Sequence, residues 1–103
     1  MIGNSDMHPG NLAFFLGDSI PLGLTPCYDM LPMLWAPVAS GELVPRTLSP
    51  LPPVPRQLPD WIIAAEWAHT FWHRMASDRR ISAEFADVAR SAAETVDRLQ
   101  RTV

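Results

Sequence analysis

Cysteine and long apolar runs are nearly absent from this sequence. The single cysteine, Cys27, excludes an internal disulfide and suits a reducing compartment. No apolar run approaches the ~18 residues that a membrane-spanning helix needs, and no signal peptide is visible. These absences predict a cytoplasmic protein that does not contact a membrane.

Basic residues are scarce as well. All eight are arginines, so the sequence contains no lysine, and the formal net charge is −3. The arginines form no basic stripe, and the pair Arg79-Arg80 is typical of a solvated turn. Direct nucleic-acid binding is therefore not expected.

The residues that are present suit one small domain with an exposed apolar face. A chain of 103 residues buries only a modest fraction of its surface on folding. Hydrophobic residues make up 48% of the chain and charged residues 18%, which is below the usual quarter. Four tryptophans are many for this length, so a partner or a further stretch of chain is expected to cover part of the surface.

Residues able to carry chemistry are concentrated in residues 4–11, Asn-Ser-Asp-Met-His-Pro-Gly-Asn, and in the later pair Tyr28-Asp29. The Pro-Gly step excludes a continuous helix and favours a rigid turn on which side chains converge. Phosphoryl transfer needs a carboxylate that accepts a hydroxyl proton and oxygen ligands that hold Mg²⁺. Asp6, Asn11 and Asp29 are residues of those types.

A β-hairpin is predicted between the two motifs. Residues 12–16 and 20–24 have the composition of short strands around the turn Gly-Asp-Ser at 17–19. Such a hairpin would return the chain to its starting point. It would therefore bring Asp29 close to Asn11.

The two motifs together resemble the catalytic core of HipA-like serine/threonine kinases, the family of bacterial toxin–antitoxin toxins. In that family an Asn-x-Asp-x-His-x-x-Asn loop is followed, after a hairpin, by Pro-x-Tyr-Asp. Here these motifs are residues 4–11 and 26–29. The continuation Met-Leu-Pro-Met at 30–33 is most similar to the YjjJ-type branch of the family.

The resemblance implies an ATP- and Mg²⁺-dependent kinase whose substrate is a protein with a Ser or Thr acceptor. It implies that Asp6 is the catalytic base and that Asn11 and Asp29 are the Mg²⁺ ligands that bind the cofactor. His8 belongs to the same catalytic loop and would order it rather than act as a base. An antitoxin is a possible partner, and any DNA contact would be made through it.

The implied fold is α+β, mainly α, and forms a partial protein-kinase-like C-lobe. Residues 1–34 would hold the catalytic loop, the β-hairpin and the metal-binding aspartate. Residues 35–59 would form a proline-rich connector and residues 60–103 a helical hairpin. The connector is expected to be an extended segment wrapped along the domain, with a substrate-facing loop as its alternative.

Two further features of kinases are missing. Kinases hold the nucleotide phosphates with a lysine and a glycine-rich loop of the N-terminal lobe, and this sequence has neither. The chain is therefore expected to be the C-terminal part of a longer kinase and to be inactive alone, with that lobe as a possible partner.

Three other interpretations stay open. The sequence His-Pro-Gly-Asn also occurs in aminoglycoside and choline phosphotransferases, although those enzymes usually place the second metal aspartate in an Ile-Asp-Phe or Ile-Asp-Trp context. A non-catalytic kinase remnant or interaction module would keep the same residues without binding ATP. A metal-free turn would use the polar side chains of residues 4–11 only to bond the backbone.

Two amphipathic helices are predicted after the prolines, from Asp60 to about Ser77 and from about Ser82 to about Arg101. Apolar residues recur at three and four positions in both segments, so each helix has a buried stripe. The short link between them predicts an antiparallel pair. The stripes are Trp61, Ile62, Ala65, Ala68, Trp72 and Met75 in the first helix, and Phe85, Val88, Ala89, Ala92, Val96 and Leu99 in the second.

His69 and His73 lie four residues apart on the first helix, a spacing that would let both bind one metal ion. No glutamate follows His69 directly, and no third ligand stands nearby in the sequence. A surface histidine pair without metal is therefore the preferred interpretation.

Overall fold

Two long α-helices provide most of the regular structure. In the computed structural model, which describes all 103 residues, helix α1 spans Leu58–Ser77 and helix α2 spans Ala83–Thr102. Three short 3-10 helices lie earlier in the chain, at Pro9–Asn11, Met33–Trp35 and Pro55–Gln57. The two α-helices that the apolar spacing predicts are confirmed, with ends within two residues of the predicted ones.

The ends of the helices follow from local chemistry. At the start of α2 the Ser82 hydroxyl accepts a hydrogen bond from the Phe85 backbone N–H at 3.2 Å, which satisfies one of the free donors of the first turn. At the start of α1, Pro59 lies in the first turn, where its missing N–H costs no helical bond, and Asp60 follows it there. An acid in the first turn is favourable beside the positive end of the helix dipole.

Small residues let α1 and α2 pack closely. The buried residues of both helices are mostly alanines, and they recur at the spacing of one helix face. His69 of α1 contacts Asp97 near the end of α2, so the two helices run antiparallel. Half of the twelve predicted stripe residues are buried and five more are partly buried, but Ile62 is 45% exposed. The buried helical residues are Ala65, Ala68 and Trp72 in α1, and Ala86, Ala89, Ala92, Ala93 and Val96 in α2.

Trp72 connects the helical pair to the first third of the chain. Its ring is fully buried, and its indole N–H donates to the Met1 carbonyl at 3.1 Å. Trp35 packs edge-on against it with ring centroids 5.4 Å apart, and the Trp35 indole N–H donates to the Arg46 carbonyl. The ends of the segment that contains residues 4–30 are thereby held against α1.

The predicted α+β class, with a β-hairpin in a partial kinase-like C-lobe, is wrong. No strand or sheet forms: residues 12–16 and 20–24 make one isolated antiparallel bridge, Phe14 to Leu24. The composition of residues 12–24 explains why no hairpin forms. Pro21 lacks the N–H that a ladder needs, and glycines at 17 and 23 weaken strands. Phe14, Leu16 and Ile20 are exposed, so no face of a sheet is buried.

The proline-rich stretch before α1 has little regular structure. Only the short 3-10 helix Pro55–Gln57 interrupts it before α1 begins. Leu48, at its centre, is buried in the same cluster as Trp72, which fixes the stretch to the helices. Neither α-helix has the length and apolar character needed to cross a membrane.

Candidate functional site

Residues 4–11 form a loop that is organised by its own side chains. The Asn11 side-chain oxygen accepts from the His8 backbone N–H at 3.0 Å, and the His8 ring nitrogen Nδ1 accepts from the Gly10 backbone N–H at 3.1 Å. These reciprocal bonds form a capping box on the 3-10 turn Pro9–Asn11. His8 therefore orders the loop through its ring, while Asn11 is held at its base.

Asn4 and Asp6 open the same loop. The Asn4 side-chain oxygen accepts from the Asp6 backbone N–H at 3.2 Å, an Asx turn that sets the direction of the chain at Asp6. Asp6 is exposed, and its carboxylate makes no hydrogen bond or ion pair within the protein. A carboxylate in that state is free to accept a proton from a bound hydroxyl group.

The segment around Asp29 is attached to this loop at two points. The Tyr28 hydroxyl donates to the Gly10 carbonyl at 2.5 Å. On the other side of Asp29, the Asn4 side-chain amide donates to the sulfur of Met30 at 3.4 Å. Residues on both sides of Asp29 therefore contact the loop that carries Asp6 and Asn11.

Asp29 itself has an unusual backbone. Its φ is +56°, the left-handed region that non-glycine residues seldom adopt, with Asp among the types that tolerate it best. Its side chain is exposed and has no hydrogen bond or ion pair within the protein. Sparsely populated backbone conformations persist where neighbouring contacts impose them, and the bonds of Tyr28 and Met30 are such contacts.

The donor set fits a hard cation such as Mg²⁺. Asp29 offers a free carboxylate, and Mg²⁺ prefers oxygen ligands with several waters retained. Asn11 is 6% exposed and already uses its side-chain oxygen once, to bind the His8 N–H. A carboxamide oxygen has a second lone pair, so that bond orients Asn11 without excluding it as a ligand.

A second cluster of ligand-type side chains lies between the two helices. His69 and His73 of α1 and Asp97 of α2 place one ligand atom each within 4.8 Å of one another. His69 Nδ1 lies 2.6 Å from one oxygen of Asp97, and His73 Nε2 lies 3.6 Å from the other oxygen. The hydrogen bond with His69 lowers the pKa of the Asp97 carboxyl below its ordinary value.

Asp97 could not be recognised from the sequence as a neighbour of the two histidines. It lies 28 residues from His69, so no local spacing connects the two. The available signal was the antiparallel pairing of the helices, which places the last turns of α2 beside the middle of α1. The interpretation of a surface histidine pair without metal took account only of residues nearby in the sequence, and it stays a prediction.

No protein-family model and no solved structure matches the sequence. Over all 103 residues, the chain is 38% identical to "Toxin YjjJ" of Escherichia coli (strain K12). The two proteins are homologous. The chain spans 23%, about a quarter, of the length of YjjJ. Homology with YjjJ supports the predicted relation to HipA-like toxins of the YjjJ-type branch.

Proposed function

We propose that residues 4–30 form the base- and metal-carrying part of a HipA-like, ATP- and Mg²⁺-dependent serine/threonine protein kinase. The observation that supports this most directly is the attachment of the Asp29 segment to the loop through Tyr28 and Met30. Two separate sequence motifs thereby meet at one place, as a shared phosphotransfer site requires. The proposal depends on this local arrangement and not on the fold class.

Each residue has a definite task in this proposal. Asp6, exposed and without a partner, would accept the proton of a Ser or Thr hydroxyl group. Asn11 and Asp29 would hold Mg²⁺, which neutralises charge on the phosphates of ATP when it is bound. His8 would keep Asn11 and the Pro9–Asn11 turn in place through the capping box. None of these roles requires His8 to gain or lose a proton.

Nucleotide binding would also need residues from outside these 103. The sequence has no lysine, and its glycines form no phosphate-binding loop. The chain alone would therefore be inactive. The same absence favours a second candidate, a non-catalytic kinase remnant or interaction module that retains the loop but no longer binds ATP.

A role as a toxin is proposed for this protein because it is homologous to a toxin. A toxin that acts as a kinase would phosphorylate a cellular protein and would be restrained by an antitoxin. The many exposed apolar side chains, among them Leu16, Ile20 and Trp67, would provide contact surface for further chain or for such a partner. A further stretch of chain and an antitoxin are thus the two partners proposed for this surface.

Label transfer from radiolabelled ATP tests the proposal. The assay uses a longer form of the protein with any residues that the gene encodes before Met1, and follows transfer onto the protein itself and onto casein as a generic acceptor. We expect Mg²⁺-dependent transfer, reduced ~10²–10⁴-fold by Asp6→Asn because the general base is lost.

Asp18→Asn is the matched control, since Asp18 is also exposed but lies in the turn between the two bridged segments. It should retain full transfer. Equal transfer by the Asp6→Asn and unmodified proteins would contradict the role of Asp6. No transfer by any form would favour the non-catalytic candidate.

A further inference from the structure

One side of the helical pair carries three side chains that are typical metal ligands. His69 and His73 project from the same face of α1 because they are four residues apart, and their rings lie 4.3 Å from each other. Asp97 reaches them from α2, with its two oxygens facing different histidines. The three residues therefore converge from two separate elements.

The helix faces beneath this cluster are buried. Trp72, Ala93 and Val96, which neighbour the three ligands along the chain, are between 0% and 3% exposed. Packed helices hold side chains more exactly than loops do, so the ligand positions are well defined. The side chains remain open to solvent, with exposed fractions of 45%, 53% and 30% for His69, His73 and Asp97.

We propose that His69, His73 and Asp97 bind one Zn²⁺ ion that joins α1 to α2. Two imidazole nitrogens and one carboxylate oxygen are a ligand set that suits Zn²⁺, whereas Mg²⁺ and Ca²⁺ prefer oxygen ligands alone. The partial exposure of all three side chains leaves the fourth tetrahedral position to a water molecule. The site is separate from the proposed phosphotransfer loop and does not depend on it.

The three ligand atoms lie within 4.8 Å of one another, so the largest adjustment that a tetrahedral site needs is ~1.5 Å. Two ligands of a tetrahedral Zn²⁺ with bonds of ~2.0–2.1 Å lie ~3.3 Å apart. His73 Nε2 and Asp97 are already 3.6 Å apart. His69 Nδ1 and Asp97, now hydrogen-bonded at 2.6 Å, would separate by less than ~1 Å as the ion replaces the proton between them. A neutral His69 carries its single N–H on Nε2 when Nδ1 binds the ion, so this step changes the tautomer and needs no net release of a proton.

The surroundings leave room for the ion. A cavity of about 140 Å³ adjoins the cluster and is lined by His73, Asp97, Glu94 and Arg90, among others. The guanidinium of Arg90 donates a hydrogen bond to the Asp87 carboxylate, which lies about one helical turn before Arg90. Glu94 adds a second negative charge near the ion. The charges around the cavity therefore do not exclude a cation.

Titration of Zn²⁺ into the untagged, metal-free 103-residue protein tests the proposal. Calorimetry should give one ion bound per chain, and the thermal unfolding midpoint should rise in the presence of Zn²⁺ because the ion binds only the folded pair. Co²⁺ used as a coloured substitute should show the visible absorption of a tetrahedral site. Absence of stoichiometric binding or of that absorption would overturn the proposal.

Substitutions locate the site. His73→Gln and Asp97→Asn should each weaken Zn²⁺ binding about tenfold or more. Glu84→Gln, which changes an exposed acid in the first turn of the same helix, should bind as tightly as the unmodified protein. Helical circular dichroism shows whether each variant is folded, and its unfolding midpoint is compared with and without Zn²⁺. Unchanged binding by His73→Gln and Asp97→Asn would place the ion elsewhere and overturn the proposal.

Discussion

At the scale of single residues, the position of Asp29 depends on its two neighbours. Tyr28 and Met30 bond to opposite ends of the loop at residues 4–11, and Asp29 lies between them in a left-handed conformation. The carboxylate itself makes no bond within the protein. Its placement is therefore sensitive to changes in side chains that would never contact a metal.

Tyr28→Phe removes the hydroxyl group that binds the Gly10 carbonyl. A net hydrogen bond is worth ~1 kcal/mol, so we expect Mg²⁺–ATP affinity of the longer protein to fall about fivefold with little loss of fold stability. Calorimetry measures the affinity. Thr25→Val, which removes a hydroxyl that only bonds to the next carbonyl, is the control and should leave affinity unchanged. Equal affinities for the Tyr28→Phe and unmodified proteins would contradict the positioning role.

Asp78 and Arg80 give a second test at this scale. Hydrogen bonds from the Arg80 side chain, and then from its backbone, lower the pKa of the Asp78 carboxyl from 3.8 to about 2. Because the folded pKa is the lower one, the pair stabilises the protein fully above pH 3.8, and this contribution is lost as the pH falls towards about 2.

Arg80→Ala should return the pKa of Asp78 towards 3.8, as read from the carboxyl carbon by NMR. Arg79→Ala is the matched control, since Arg79 makes no bond to this carboxylate. A pKa that is the same with and without Arg80 would show that the pair does not persist in solution.

At the scale of elements, the two helices could be predicted from the sequence and the hairpin could not. The helices have long apolar stripes, with Ser82 at one start and Pro59 at the other. Each of these signals is local and agrees with the others. Residues 12–24 contain apolar residues too, but a short hairpin needs a packed face, and none forms here.

The two candidate sites also differ in how far the sequence alone could predict them. The loop at residues 4–11 is a contiguous motif, so its polar residues could be recognised directly. Asp97 joins His69 and His73 only through the packing of α2 on α1. Contacts between residues that are distant in sequence require the tertiary structure, which explains why the third ligand was missed.

Gly3 tests how the first residues are held against the helices. Its φ is +72°, and a Cβ there would lie 2.5 Å from the Trp35 ring, which is itself bonded to the Arg46 carbonyl. Gly3→Ala should therefore cost ~1–2 kcal/mol for the left-handed backbone and ~1–3 kcal/mol more for the clash.

Gly41→Ala is the matched control for the backbone cost. Gly41 has φ +83°, yet a Cβ there would meet nothing within 4 Å. Denaturant unfolding followed by tryptophan fluorescence should show the larger loss for Gly3→Ala. Equal losses for the two variants would mean that Gly3 is not packed against Trp35.

At the scale of the whole molecule, the core is small and the surface is apolar. Ten of the 103 residues are buried, and nine of these form the hydrophobic core. The radius of gyration is 15.9 Å, against ~13 Å for a compact domain of about 100 residues. Most of the large apolar side chains in residues 12–54 are exposed. The expected exposed apolar face is present, and covering it would stabilise the molecule.

The whole molecule also determines whether the loop can act. In the proposed phosphotransfer site, Asp6, Asn11 and Asp29 would supply only part of what is needed, because the sequence has no lysine and no phosphate-binding glycine loop. The complete site would combine these residues with others beyond the 103. Binding of Mg²⁺ and ATP is therefore to be compared between the 103-residue chain and an extended form of it.

The most direct measurement is Mg²⁺-dependent ATP binding by calorimetry, made on the 103-residue chain and on the protein extended through any residues that the gene encodes before Met1. We predict binding by the extended protein alone, and its loss with Asp29→Ala because a metal ligand is removed. Asp18→Asn, as control, should bind normally. Undiminished Mg²⁺–ATP binding by the Asp29→Ala protein would contradict the assignment of the site to residues 4–30.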